Sequence, residues 1–214
     1  MVIWSLAIMA AQSAFLALPP SAQAELERCG VTERALSALL HLDQRAFDQD
    51  FNGGGWRGID AQEGCERAAA EAIKAYILYS TPSAPDDIKL LRWHAGQLLA
   101  NGGFTSEALP FFAGSFSETY KGDGDADWWD IYVDATLAFL EGDRARLVAA
   151  RDRLAAFPVS EEEKAARRKF LEDNPTVTMP PGFVDEPPNL AVVERLLACF
   201  GQPYAEAYAG DCAR

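Results

Sequence analysis

The side chains able to do chemistry in this chain are its acids, two histidines and four cysteines, and their spacing restricts what that chemistry can be. Asp123, Asp125 and Asp127 alternate, and Asp134 follows eleven residues after the first, the order in which a calcium loop sets its oxygen ligands. Two departures count against a metal. Trp128 stands where such a loop needs glycine for its sharp turn, and Asp134 is shorter than the usual glutamate. The competing reading makes these acids the cap and first-turn charges of a helix starting near Trp128. Asp130 and Asp134 share one helix face and could do acid–base work in an exported hydrolase of envelope material. Such a pair needs about 5–10 Å between carboxylates across an open cleft, and one helix supplies no cleft. His41 and His94 each lack a second histidine at ligand spacing, and a lone helical histidine is usually a packing or surface residue. The stretch Phe51-Asn-Gly-Gly-Gly-Trp56 is glycine-rich but lacks the Lys-Ser/Thr tail of a phosphate loop, so Trp56 is read as a plug folding back over helix ends. Nucleophile-elbow, metalloprotease-helix and dinucleotide signatures are missing from the sequence, so no cofactor is expected and no named reaction is supported.

The remaining chemistry is oxidative. Four cysteines in an exported chain suggest two disulfides. Cys199 and Cys212 flank a short tail with Gly201, Pro203 and Gly210, which favours a local bridge and leaves Cys29 with Cys65. A straight helix over Val31–Asp48 would span about 27 Å and carry Cys65 away from Cys29, whereas bridged Cα atoms lie within about 7 Å. Three outcomes therefore stay open: a broken first helix, a non-local pairing, or two free thiols. Export is read from Met1–Ala24, which holds no charged side chain. An apolar run from Val2 to Leu18 leads to Pro19-Pro20 and then to Ala22 and Ala24, the small-x-small pattern of a signal-peptidase site. Cleavage after Ala24 would leave a periplasmic or secreted chain, residues 25–214, expected to form one domain without a membrane span. An uncleaved anchor is the alternative, although the run is short for a spanning helix. The net charge of −13 disfavours a nucleic-acid partner.

These residues must be positioned by helices. Apolar periodicity predicts helices over residues 31–48, up to Tyr79 behind an Asp60–Glu63 capping box, over Ile88–Ala100, from Thr105 as a cap, from about Trp128, and over Arg144–Phe157. Ser160–Glu163 reads as another capping box, opening a short, charged, solvated helix to about Glu172. Asn174–Pro188 holds five prolines and reads as an extended strap, so residues 157–188 form a charged helix plus strap. Asn189 is expected to cap a helix running through Phe200. Gly96 lies inside its helix at a cost of about 1 kcal/mol against alanine, which calls for close packing against a neighbour.

The two hairpins within Leu90–Leu154 carry matching marks: Gly96 and Gly103 seven apart, then Ala135 and Gly142 seven apart. In the first, Gly96, Ala108, Phe112 and Ser115 fall at the small, small, aromatic, small spacing of a tetratricopeptide repeat, which the stretch resembles. The second keeps Ala135 and Gly142, but Leu147 and Arg151 replace the later small and aromatic residues. The resemblance covers about a third of the chain and implies an all-α fold of antiparallel hairpins stacked as a short solenoid. It also implies a concave groove lined by Trp93, Gln97 and Asn101 in one hairpin and Trp129, Tyr132 and Thr136 in the next. Trp129 and Tyr132 could equally be core. The functional expectation is an exported interaction module for a protein or peptide partner, with an exported enzyme or a purely structural protein as alternatives.

Overall fold

The computed structural model describes residues 14–80, 85–120, 127–177, 179 and 182–212. Among them the chain is all-α, with helices and turns and no strand. It divides into two compact units, Met1–Ser115 and Phe116–Arg214.

The first unit is arranged around α5 (Glu66–Tyr79). This helix packs against α1 (Pro20–Arg28), α2 (Glu33–Leu40), α4 (Arg57–Asp60) and α6 (Pro85–Asn101). Its composition explains the central place: Ala68, Ala69, Ala70, Ala72, Ile73 and Ala75 are wholly buried, so methyl groups on several faces let neighbouring helices approach closely. The segment expected as one helix over residues 31–48 is broken into α2 and α3 (Gln44–Asp48). Asp43 causes the break by capping α3, accepting from the Ala46 amide at 2.8 Å. Two carbonyls near the break find donors on and just after α5. Tyr76 Oη donates to Leu42 at 2.8 Å, and Ser80 Oγ donates to Leu40 at 2.9 Å. With the rod broken, Cys29 and Cys65 bridge at a Cα–Cα distance of 5.9 Å, and the geometric objection to that pairing falls away.

Two expected caps are corrected here. Asp60 ends α4 instead of opening a helix, and α5 starts at Glu66, behind Gly64 in the left-handed region and the disulfide-held Cys65. Thr105 is the first residue of α7 (Thr105–Ala113), with Phe104 at the cap and no side-chain hydrogen bond there. The packing reason demanded by Gly96 is found: a Cβ there would lie 3.1 Å from three ring atoms of the fully buried Phe112 on α7. Glycine lets α6 sit directly on that ring.

The second unit is built on α8 (Trp128–Leu140), which is buried from Asp130 through Phe139. It packs on α9 (Arg144–Ala155) and α11 (Leu190–Ala198). Local caps work as expected at two helices. Asp127 accepts from the Asp130 amide at 2.9 Å, and Ser160 accepts from Glu163 at 3.1 Å to open α10 (Glu161–Asp173). That helix buries no residue, in keeping with its charged sequence. Asn189 precedes α11 in the left-handed conformation, φ 64°, without the expected side-chain cap, and α11 ends at Ala198 instead of Phe200. Part of the strap is tied down by Arg167, which donates to the Phe183 and Glu186 carbonyls at 2.9 and 2.7 Å. After α12 (Tyr204–Ala209), Cys212 bridges to Cys199 at a Cα–Cα distance of 5.6 Å, the local pairing expected.

Candidate functional site

The most developed polar arrangement in the first unit is gathered on one carboxylate. Asp48 ends α3 and is fully buried. The glycine-rich loop then folds back on the helix end. A Cβ at Gly55, φ 57°, would lie 1.9 Å from the Phe47 carbonyl oxygen, so only glycine passes. The Trp56 amide donates to that carbonyl at 3.3 Å. This return buries the indole of Trp56, the plug expected from sequence, and its Nε1–H donates to Asp48 Oδ1 at 2.8 Å. The same oxygen receives His94 Nδ1 from α6 at 2.7 Å, and Gln49 Nε2 donates to Oδ2 at 2.5 Å. Arg57 donates to the Asp48 carbonyl, and its guanidinium lies over the rings of Trp56 at 4.1 Å and Phe51 at 4.6 Å.

The electrostatics follow from these contacts. Burial by itself pushes the Asp48 carboxyl up, but the hydrogen bond and charge of His94, with the Trp56 and Gln49 donors, outweigh it and hold the group below the usual aspartate value. Burial lowers the Arg57 guanidinium, opposed by Asp48, Asp60 and Asp50. A carboxylate on Nδ1 fixes the orientation of the His94 ring. Beside this node the Phe51 ring is 76% exposed.

Sequence reasoning missed this constellation because its members are far apart in the chain. His94 meets an acid 46 residues away. One signal was present: a tryptophan carried inward by a glycine-rich turn needs an acceptor for its N–H, and Asp48 is an acid within that turn's reach.

The residues singled out from sequence are distributed as follows. Trp93 is buried, edge-on to Phe112 at 4.8 Å, while Gln97 is half-buried and Asn101 exposed. In the second unit Trp129 is half-buried, and Tyr132 and Thr136 are buried, with Thr136 Oγ1 donating to the Tyr132 carbonyl at 3.0 Å. Burial pushes the Tyr132 hydroxyl well up. Trp93, Tyr132 and Thr136 thus act as core residues, because they sit on the helix faces that close their own units. Of the acids, Asp123 and Asp125 lie outside the described residues. Asp127 is a helix cap, and Asp130 is buried, accepting from the Ser117 amide at 2.7 Å. Asp134 is held by Arg146 at 2.7 Å and by Arg153. Each of these three has at least one oxygen engaged by the protein, and among the described residues no three potential metal ligands cluster. His41 Nδ1 bonds its own helix at the Ser37 carbonyl, 2.7 Å away.

Besides an open hollow of about 480 Å³ beside Leu171, Val177 and Val184, the second unit carries one of about 400 Å³ between α10, the strap and α11. Phe183, Leu190 and Val192 give it an apolar wall, with Arg167 and Arg195 at the edge. Arg167 is committed to the strap carbonyls and to Glu163 at 2.7 Å, so the hollow reads first as the space under a tied strap. Comparison with protein-family models, curated proteins and solved structures returns no match to this chain.

Proposed function

We propose that this chain is an exported helical-hairpin interaction module, tetratricopeptide-like in its hairpins, that binds a protein or peptide partner in the cell envelope. The observation that carries the reading is the Gly96–Phe112 contact, because small-on-aromatic packing within a hairpin is the physical content of the resemblance. Two disulfides and the lack, among the described residues, of a helix long and apolar enough to cross a membrane are compatible with an extracytoplasmic site of action. Phe51 supplies a candidate anchor: an exposed aromatic ring stacked under the Arg57 guanidinium. Gln97 and Asn101 remain as polar groove contacts that reach solvent.

The test places a photo-cross-linking phenylalanine analogue at position 51 and, separately, at 97, and exposes the protein to envelope extract. The expected result is one discrete adduct, shared by both probes, whose formation by the position-97 probe is lost when Phe51→Ser is added in protein of unchanged melting temperature. Adducts that do not depend on Phe51 or on Gln97 would remove the interaction reading.

One observation favours a second reading, an exported enzyme. A histidine oriented through Nδ1 by a buried aspartate is the arrangement of a general base. That reading requires His94→Gln to abolish turnover on an ester or peptide panel while leaving the fold intact.

A further inference from the structure

The segment just ahead of Ala24 is part of the first unit's core. Ala14, Phe15, Leu18 and Ala22 are each no more than 6% exposed, and Leu26 is fully buried. Residues 14–17 are helical, and α1 runs unbroken from Pro20 to Arg28 across the Ala24–Glu25 bond. Pro19 stands at the cap of α1, and the Ala22 amide donates to its carbonyl at 2.9 Å. Gln23 Nε2 spans back to the Leu18 carbonyl at 2.8 Å, joining the two helical pieces. The buried face of α1 packs on α5, and Cys29, just past its end, is bridged to Cys65 at the start of α5. A cut after Ala24 would leave a single turn ahead of Cys29. It would also remove four buried side chains, Ala14, Phe15, Leu18 and Ala22, from the first unit.

A second small-x-small pattern lies upstream. Ala11 and Ser13 occupy the two positions a signal peptidase reads if the scissile bond is Ser13–Ala14. The uncharged run Val2–Ala10 ahead of them has the length of an apolar signal core, about 7–15 residues.

We infer that processing during export cuts the Ser13–Ala14 bond and not the Ala24–Glu25 bond, so that residues 14–24 are a structural element of the mature protein. The step is hydrolysis by a signal peptidase: water divides the amide into a Ser13 carboxylate on the released leader and an Ala14 ammonium on the mature chain. The inference rests on the export reading proposed above.

The experiment expresses the full chain Met1–Arg214 in a bacterium with an intact secretory pathway, separates the compartments, and reads the first residue by intact mass and stepwise degradation. Exported protein beginning at Ala14 is expected. Exported protein that begins at Glu25, or at any residue other than Ala14, overturns the assigned cut and leaves the export reading standing. Chain found only in the cytoplasm and beginning at Met1 overturns both. Two substitutions sharpen the result. Ser13→Leu should leave the precursor uncut, whereas Ala24→Leu, at an exposed helix position, should leave processing unchanged. The reverse pattern overturns the inference.

Discussion

The hairpin α6–α7 and the hairpin α8–α9 resemble each other in sequence marks and differ in what closes them. In the first, a helix without a side chain at Gly96 rests on the ring of Phe112, and contact between apolar atoms does the joining. In the second, Ala135 and Leu147 are fully buried, but no aromatic ring stands at the corresponding place. There Asp134 reaches from α8 to Arg146 and Arg153 on α9, and Arg146 also pairs with Glu141 at 2.5 Å. The first pair is thus closed by packing with one hydrogen bond at its end, Arg92 to the Gly114 carbonyl at 3.0 Å, and the second by packing helped by a partly buried charge network. The two should respond differently to mutation, salt and acid.

The largest effect is expected from Phe112→Ala, which removes a wholly buried ring and opens a void beneath Gly96. A loss of about 3–5 kcal/mol is expected from chemical denaturation. A loss under about 1 kcal/mol would mean that the glycine–ring contact does not close the first hairpin.

Next is Asp134→Ala, which strands two arginines. Breaking a fully buried pair costs about 3–5 kcal/mol. Here the side chains of Arg146 and Arg153 are 36% and 41% exposed, and solvent screening reduces the expectation to about 1–3 kcal/mol. The wild-type protein should also lose more stability than Asp134→Ala protein between low and high salt. Equal salt dependence in the two would remove charge from the account of the second hairpin.

A smaller effect distinguishes the small residues. Ala135→Gly should destabilise by about 1 kcal/mol through helix propensity. Gly96→Ala gains that same propensity but brings a methyl to 3.1 Å from the Phe112 ring, tighter than ordinary contact. Its net effect is expected to be destabilising and under about 2 kcal/mol, read as a drop in denaturation midpoint. A rise in midpoint would show that the ring has room to retreat.

The subtlest test is acid. The Asp48 carboxyl is held below its ordinary value of 3.8 in the folded protein, so the unfolded chain takes up its proton first. The stability it contributes is present above that ordinary value and is lost as pH falls through the lower folded-state value. A denaturation series from pH 5 to pH 2 should show a decline that is shallower in Asp48→Asn protein. An unchanged slope would show that the Trp56–Asp48–His94 node carries no linked proton.

Much of this architecture was legible in the chain because it is written over short distances. Helix periodicity, the caps at Asp127 and Ser160, the solvated α10 and the Cys199–Cys212 bridge all depend on residues within about a dozen positions of each other. Where local signals competed, the reading failed. Asp60–Glu63 matched a capping box, but the Cys29–Cys65 bridge and the turn at Gly64 set a later start for the helix. The groove residues fared unevenly because spacing assigns a helix face without saying what covers it. Trp93, Tyr132 and Thr136 lie on covered faces.

What the sequence determined by itself was the helical class, the caps at Asp127 and Ser160 and the close approach at Gly96, since backbone conformation, capping and steric volume are properties of neighbouring residues. Only the tertiary structure decided that α3 ends in a buried acid shared by an indole and an imidazole, and that the chain around Ala22 belongs to the core. Both depend on desolvation by partners far away in sequence. A carboxylate, an indole N–H or an alanine methyl has the same chemistry wherever it sits, and burial against a particular distant helix is what gives each its role.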